Sequence, residues 1–362
     1  MSGTIDTQPS KKSRLWVWFV WLAAFYTTWL CLVIVGDHWE TLREHWAIAF
    51  SMALGSYVAG STPMGGGTVG FPILVLLFDE SPHLGRDFSF AIQSIGMVSA
   101  WIFIFAKRLP VAWPLLGGAM IASLIGTPIG LLWVAEHVQP TQAKLVFAVA
   151  WAAFGILHFF KSHQFCGYQG NHHGDARSQF EAGLMVGFLA SMTVSAVSGV
   201  GIDMMVYAVL VLVFRCDLKI AIPTSVIIMA FTSVVGIGFR AATGQVVDGV
   251  YENWLAAAPV VALGAPLGVF VVNLVGRHFT LMAVSVLCIV QFLWTCHDER
   301  ENLGWSGFGL ALLGVVFTLG LFFWLYRKGK RLSQKLDEVA AVHAAEAAAA
   351  TKLPVAEDSS SP

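Results

Sequence analysis

The stretch "GSTPMGGGTVGFP", residues 60–72, interrupts a long apolar run with glycines and with Pro63 and Pro72. Neither residue type favours the interior of a helix or strand. Gly65, Gly67 and Gly70 also satisfy the spacing G-x-G-x-x-G. The stretch is therefore either a nucleotide-binding loop or a membrane helix broken on purpose.

Composition narrows the choice. The chain has 362 residues, 57% hydrophobic and only 12% charged, with 14 Trp and 26 Phe. A soluble domain carries about 25% charged residues. Apolar runs near the length of a bilayer-spanning helix recur from Leu15 to Tyr326. This pattern predicts an all-α polytopic membrane protein. The net charge of −1 carries no information about partners, because the charges are sorted by loop. The expected surroundings are a lipid bilayer and a small solute, with no nucleic acid. Cys31, Cys166, Cys216, Cys288 and Cys296 form no C-x-x-C pair and read as small apolar helix residues. The start "MSGTIDTQPSKKSRLW" precedes about 22 apolar residues, too long for a signal-peptide core, so a retained first helix is expected.

Apolar segments are expected near 15–36, 45–62, 66–79, 88–106, 111–134, 142–160, 180–198, 203–214, 219–239, 254–275, 280–296 and 303–326. The segments 66–79 and 203–214 are shorter than the ~20 residues a span needs. Each follows a glycine-rich break, so each pairs with the helix before it as a re-entrant hairpin. The chain divides into an N-terminus (1–14), a first membrane repeat with its leading helix (15–160), a connector (161–179), a second repeat with the last helix (180–326), and a tail (327–362). Basic residues orient it. Lys11, Lys12, Arg14, Lys107, Arg108, Lys161, Arg177, Arg215, Lys219, Arg277 and the tail fall on one side, which predicts cytoplasmic termini and connector. Arg43, Arg86, Lys144, Arg240 and Arg300 fall on the other, mostly beside acids.

The two breaks are related. A shift of 131 residues lays Gly70 on Gly201, Gln93 on Thr224 and Ser94 on Ser225, and "GTPIG" (126–130) meets "GAPLG" (264–268) after an insertion. With five apolar segments per copy, an odd number, the second copy would be inserted upside down. Inverted repeats with broken helices meeting near the midplane are an architecture of secondary transporters. The nucleotide reading fails in this context: a membrane helix precedes the glycines, no acidic residue follows at the right place, and there is no G-K-[ST].

At a broken tip, Gly65, Gly66, Gly67, Thr68 and Gly70 in one half and Ser198, Gly199 and Gly201 in the other allow close approach of a ligand to backbone N–H groups. The following helices add Gln93, Ser94 and Ser99, then Thr224, Ser225, Thr232 and Ser233. These donors suit an oxyanion held without a central lysine or arginine. Small residues also let membrane helices pack closely, which is the competing reading for each of them. Asp203 is the sharpest residue. An ionisable group at membrane depth is costly and usually functional. It reads as a helix cap, a proton-coupling carboxyl, or both. The loop "KSHQFCGYQGNHHGDAR", with His163, Cys166, His172, His173 and Asp175, fits no closed metal site and reads as a connector. No cofactor is expected. His158 reads as an interfacial residue rather than a proton relay, and the alanine-rich tail as a frayed helix passing into disorder.

The glycine cluster Gly65–Gly70, the helix starts "AIQS" (91–94) and "AIPTS" (221–225), and the two-half layout resemble the TauE/SafE family of membrane anion permeases. The resemblance covers roughly residues 45–300. It implies transport of sulfite or an organosulfonate such as sulfoacetate across the cytoplasmic membrane, more as an exporter than an importer. The proline-bearing stretch at 60–72 and the long histidine-rich connector depart from the usual pattern. An enzyme would need a nucleophile–base pair or a metal constellation, and none is present. Uptake, a channel for another small anion, or a receptor or assembly subunit are the alternatives.

Overall fold

The structure, a computed structural model, describes residues 14–168, 175–275 and 277–351. Lys11, Lys12, His172, His173 and Lys352 lie outside the described residues. Within them, all regular elements are helical. They are α1 (Leu15–Val35), a short α2 (Trp39–Glu44), α3 (Trp46–Ser61), α4 (Gly67–Leu77), α5 (Pro82–Lys107), α6 (Trp113–His137) and α7 (Pro140–Cys166). After the connector come α8 (Ala176–Ser198), α9 (Ile202–Val213), α10 (Leu218–Ala242), α11 (Val250–Val275), α12 (Arg277–Asp298) and α13 (Arg300–Thr351). Among the described residues, eight helices are long and apolar enough to cross a membrane, and α4 and α9 are shorter apolar helices. "WETLRE" forms the short α2 between the expected segments 15–36 and 45–62, and α13 runs on from the last expected segment into the tail as far as Thr351, beyond a kink at Gly304.

The first break has a local cause. Thr62 precedes Pro63 and is extended (φ −133°, ψ 167°), as a residue before proline is pushed to be, so α3 stops there. In the second break Gly199 (φ 76°) and Gly201 (φ 112°) take left-handed backbone, which glycine alone adopts without strain.

Both short helices end alike. Each closes in a π turn, Ile73–Leu77 and Val209–Val213. Phe78 or Phe214 comes next, then left-handed Asp79 or Arg215. Ser81 and Asp217 then cap α5 and α10 by accepting the N–H groups of Leu84 (3.1 Å) and Lys219 (2.8 Å). These landmarks set the register at 209 − 73 = 136 residues, and again at 218 − 82 = 136. This corrects the shift of 131. Gly70 is not at a tip: it lies inside α4 and faces Met52 and Phe88. Matching it to Gly201 slipped the frame, and the true register places Ser89, not Ser94, opposite Ser225.

Packing follows the same exchange of halves. Helix α3 packs on α11 as α8 packs on α6, α5 packs on α10, and α7 on α12. The G-x-P-x-G segments make the first two contacts possible. A Cβ on Gly126 or Gly130 would strike α8 at Ser191 or Met192, and one on Gly264 or Gly268 would strike α3 at Ser56 or Tyr57. Gly60, Gly118 and Gly183 likewise leave no room for a Cβ against the facing backbone. Close backbone approach of this kind is how small residues hold membrane helices together. The prolines in α11 free carbonyls four residues earlier. The Leu255 carbonyl, freed by Pro259, accepts from Trp29 Nε1 (2.9 Å), and the Ala262 carbonyl, freed by Pro266, accepts from Ser99 Oγ (2.6 Å). Trp18 Nε1 donates to the same Ser99 oxygen (3.0 Å), so α1 is tied to α5 and α11.

Contacts between helix ends sort them into two groups. One joins Arg86 and Asp87 to Arg240, Tyr251 to His38, and Lys144 to Asp298 and Glu299. The other joins Arg14 to Ala106, Ala112 to Thr224, Gln164 to Tyr326, and Arg215 to Ser333. The hairpin α3–α4 begins and ends beside the first group, and α8–α9 beside the second.

Candidate functional site

The two tips meet. A Cβ placed on Gly67 would stand 2.5 Å from Val200 Cγ1 of the other tip, and 2.8 Å from both Gln93 Nε2 and Ser89 Cβ. One on Gly65 would overlap Gln93 Oε1 and come within 3.2 Å of Asp203 Oδ2. Gln93 bridges the junction: its Nε2 donates to Ser89 O in its own helix (2.9 Å) and to Gly199 O of the second tip (3.0 Å). Gly199 in turn presses on the Arg86 carbonyl and Ser89. An aromatic stack supports the junction from behind, Phe71 on Phe147 (4.8 Å) and Phe147 on Trp151 (4.1 Å), with Trp151 against Gly201.

Asp203 is 1% exposed. Its Oδ1 accepts from the N–H of Met204 (2.9 Å) and of Gly201 (3.2 Å), so the carboxyl caps its own helix. That corrects one expectation: the donors of the second tip are already occupied. Its Oδ2 has no hydrogen-bond partner, and neither does Gln93 Oε1. Two buried acceptor oxygens therefore flank Gly65, whose backbone N–H faces the Asp203 carboxyl. A buried acceptor left unmatched costs roughly 1–3 kcal/mol. Thr68 Oγ1 and Trp151 Nε1 are also buried and unpartnered beside the tips.

Other candidates sit elsewhere. Thr224 Oγ1 accepts from Ala112 N (3.0 Å) and donates to Ile220 O, tying α10 to the start of α6. Ser225 and Ser94 donate to carbonyls of their own helices. Ser99 is a helix tie. Ser198 Oγ donates to Val194 O and Val200 O and shapes the second tip from within. A Cβ on Gly66 would meet nothing closer than Met52 Cε at 3.4 Å. Thr232 and Ser233 are buried with unpartnered hydroxyls.

Three features escaped the sequence reading. Ser89, Trp151 and Val200 complete the junction, and only the fold brings them there. Arg86 and Arg240 are not loop charges but share the fully buried Asp87, through Arg86 Nε to Oδ1 (2.8 Å) and Arg240 Nε to Oδ2 (3.1 Å). "GRDF" (85–88), at the edge of the expected segment 88–106, was a readable signal for this, since charges at membrane depth pair or serve a function. Thirdly, His158 is not interfacial. It is 1% exposed and bonded to Tyr207 of α9 (3.2 Å). Among the described residues no group of three or more His, Cys, Asp or Glu could hold a metal.

A cavity of about 270 Å³ opens between α4 and α12, lined by Leu54, Val58, Val69, Leu77, Leu287 and Trp294 among others. Its apolar wall suits a hydrocarbon chain rather than an oxyanion. Beside Gln93 and Gly66 lies a void of about 10 Å³, close to the size of one water.

The family model described as "Sulfite exporter TauE/SafE" matches residues 47–295 of this chain. The chain belongs to the TauE/SafE family. The match runs from α3 into α12 and so contains both hairpins and the whole tip junction. No curated protein and no solved structure matches. Membership in TauE/SafE makes this a multi-pass membrane transporter of sulfite or organosulfonate type, not an enzyme, with a small anion as its substrate.

Proposed function

We propose that this TauE/SafE transporter exports sulfite or a small organosulfonate such as sulfoacetate across the cytoplasmic membrane, coupled to protons through Asp203. The two hairpins enter from opposite faces as an inverted repeat, with both termini cytoplasmic. The sorting of helix ends into two groups supports this arrangement. The observation that carries the coupling is the pair of unpartnered oxygens, Asp203 Oδ2 and Gln93 Oε1, at a closed junction. A protonated Asp203 carries no charge, so an anion can approach the backbone N–H groups of Gly65–Gly67 when the tips part. Loss of that proton leaves a carboxylate that repels the anion. An anion about 4 Å from a charged carboxyl is opposed by roughly 4 kcal/mol at an effective dielectric near 20, so anion and proton influence each other's binding.

Proteoliposomes loaded with sulfite or sulfoacetate, with and without a pH gradient, test this reading. Asp203→Asn should retain anion binding and exchange while the pH dependence of net flux flattens. Wild-type pH dependence in that variant would reduce Asp203 to a helix cap.

A further inference from the structure

We propose that the apolar cavity between α4 and α12 is a lipid site: one acyl chain of a membrane glycerolipid enters it and packs against the back of the first tip. The cavity is a pit with a lateral mouth. Leu54 of α3, Leu77 of α4 and Leu287, Val290 and Trp294 of α12 form its rim, and each is about half exposed. Helix α12 is long and apolar enough to cross the membrane, so this rim meets hydrocarbon. Val58, Val284 and Cys288 form the inner wall and are buried.

The floor lies behind the tip junction. Thr68, next to Gly67, and Trp151, against Gly201, close the pit at its inner end. The Thr68 hydroxyl and the Trp151 indole N–H are themselves buried away from its surface, so the floor presents carbon. From Thr68 to Leu77 is nine residues of helix, about 14 Å. An apolar cavity of about 150 Å³ accepts benzene, so 270 Å³ holds about ten chain carbons. Water does not fill a pit lined in this way, and an empty one leaves its walls without dispersion partners. A helix of a second copy, about 10 Å across and as long as the pit, occupies roughly 1,100 Å³, far more than the cavity holds. Sulfite is compact and charged and finds no partner on these walls.

The rim carries the polar groups that a glycerolipid uses. Leu287, Gln291 and Trp294 are spaced by four and three residues along α12, hence lie on one face. The Gln291 backbone carbonyl accepts from Thr295 Oγ1 (2.9 Å). Among the described residues, its side-chain amide and the Trp294 indole N–H have no hydrogen-bond partner. These donors stand two turns and one turn from Asp298 at the end of the helix, toward the membrane interface where ester carbonyls sit. Tryptophan at that level, apolar ring inward and N–H toward the polar layer, is a recurrent anchor. The chain stands where α4 would go if it swung toward α12, so an occupied pit holds the first tip against the second.

Photolabelling tests this. The protein is reconstituted in phosphatidylcholine vesicles containing a phosphatidylcholine with a diazirine near the end of one chain, and labelled residues are mapped by mass spectrometry. Val58, Val284 and Cys288 should be labelled, along with the exposed Leu310 and Phe317 of α13. Leu287→Trp, which narrows the mouth, should cut labelling of the inner wall about tenfold and leave α13 unchanged. A free fatty acid bearing the same diazirine should label the wall only weakly. Labelling of α13 without the wall would overturn the proposal, as would wall labelling that Leu287→Trp leaves unchanged. Equal labelling by the free fatty acid would overturn the glycerolipid assignment. Disulfide cross-linking between copies of Leu287→Cys, with the wall unlabelled in wild type, would give the pit to a second copy instead. The wild-type map decides even if Leu287→Trp is unstable, and none of these readouts depends on which anion is carried or on Asp203.

Discussion

The two tips reach the same junction by different means. In the first, Gly65, Gly66 and Gly67 have ordinary backbone angles, and two of the three are glycine because the opposing tip and Gln93 leave no space. In the second, Gly199 and Gly201 are left-handed, so torsion demands glycine before space does. The halves differ again in the long helix after each hairpin. Helix α5 carries Arg86, Asp87 and Gln93, whereas the register of 136 residues puts Ile222, Pro223 and Met229 at those places in α10. One half supplies the polar side chains, and the other supplies a shaped backbone with one carboxyl. The two hairpin regions thus differ in what they bring to the junction.

Substitutions can break this comparison. The largest effect is expected at Gly199→Val. It combines a left-handed torsion costing roughly 1–2 kcal/mol with a collision against the Arg86 carbonyl, which cannot move alone. Anion binding and transport should vanish, and radiolabelled sulfite binding to purified protein reads this directly. Asp87→Ala comes next, because it strands two buried arginines. A loss of about 3–5 kcal/mol is expected, seen as a lowered thermal midpoint in lipid nanodiscs. Pro223→Ala at the matching place in α10 should not reproduce it.

Gly67→Ala should cost less than Gly199→Ala and should be partly rescued by Val200→Ala, since the nearest obstacle is a side-chain methyl. Gly199→Ala has no such rescue. If Val200→Ala restores both equally, the distinction between space and torsion is wrong. Gln93→Leu removes the bond to Gly199 O and should destabilise the closed junction by roughly 1–3 kcal/mol, measured as greater accessibility of a cysteine introduced at Thr68. The smallest effect belongs to Gly66→Ala, where the nearest side chain is 3.4 Å away, and transport should stay near wild type.

Much of this molecule could be read from its residues. Apolar runs separated by charged turns gave the helices, because a backbone in lipid must satisfy its own hydrogen bonds and helices do so locally. Thr62–Pro63 and the glycines placed both breaks, since their cause is confined to a few neighbouring torsions. Family membership was legible for the same reason, in short local motifs around Gly65–Gly70 and Pro223–Ser225. Asp203 stood out by charge alone. The register of the repeat was not legible, because glycine identity cannot tell a tip glycine from Gly70, which serves packing. Ser94, Ser99, Thr224 and Ser225 looked like ligands in sequence, yet Ser99 and Thr224 bridge helices and Ser94 and Ser225 turn back to carbonyls of their own helices. Conversely Ser89, Trp151 and Tyr207 carried no signal, and His158 read as interfacial. Their meaning depends on partners far along the chain, 49 residues away for His158 and Tyr207. Local torsion and hydropathy are properties of the chain, whereas which buried oxygen lacks a donor depends on the assembled helices.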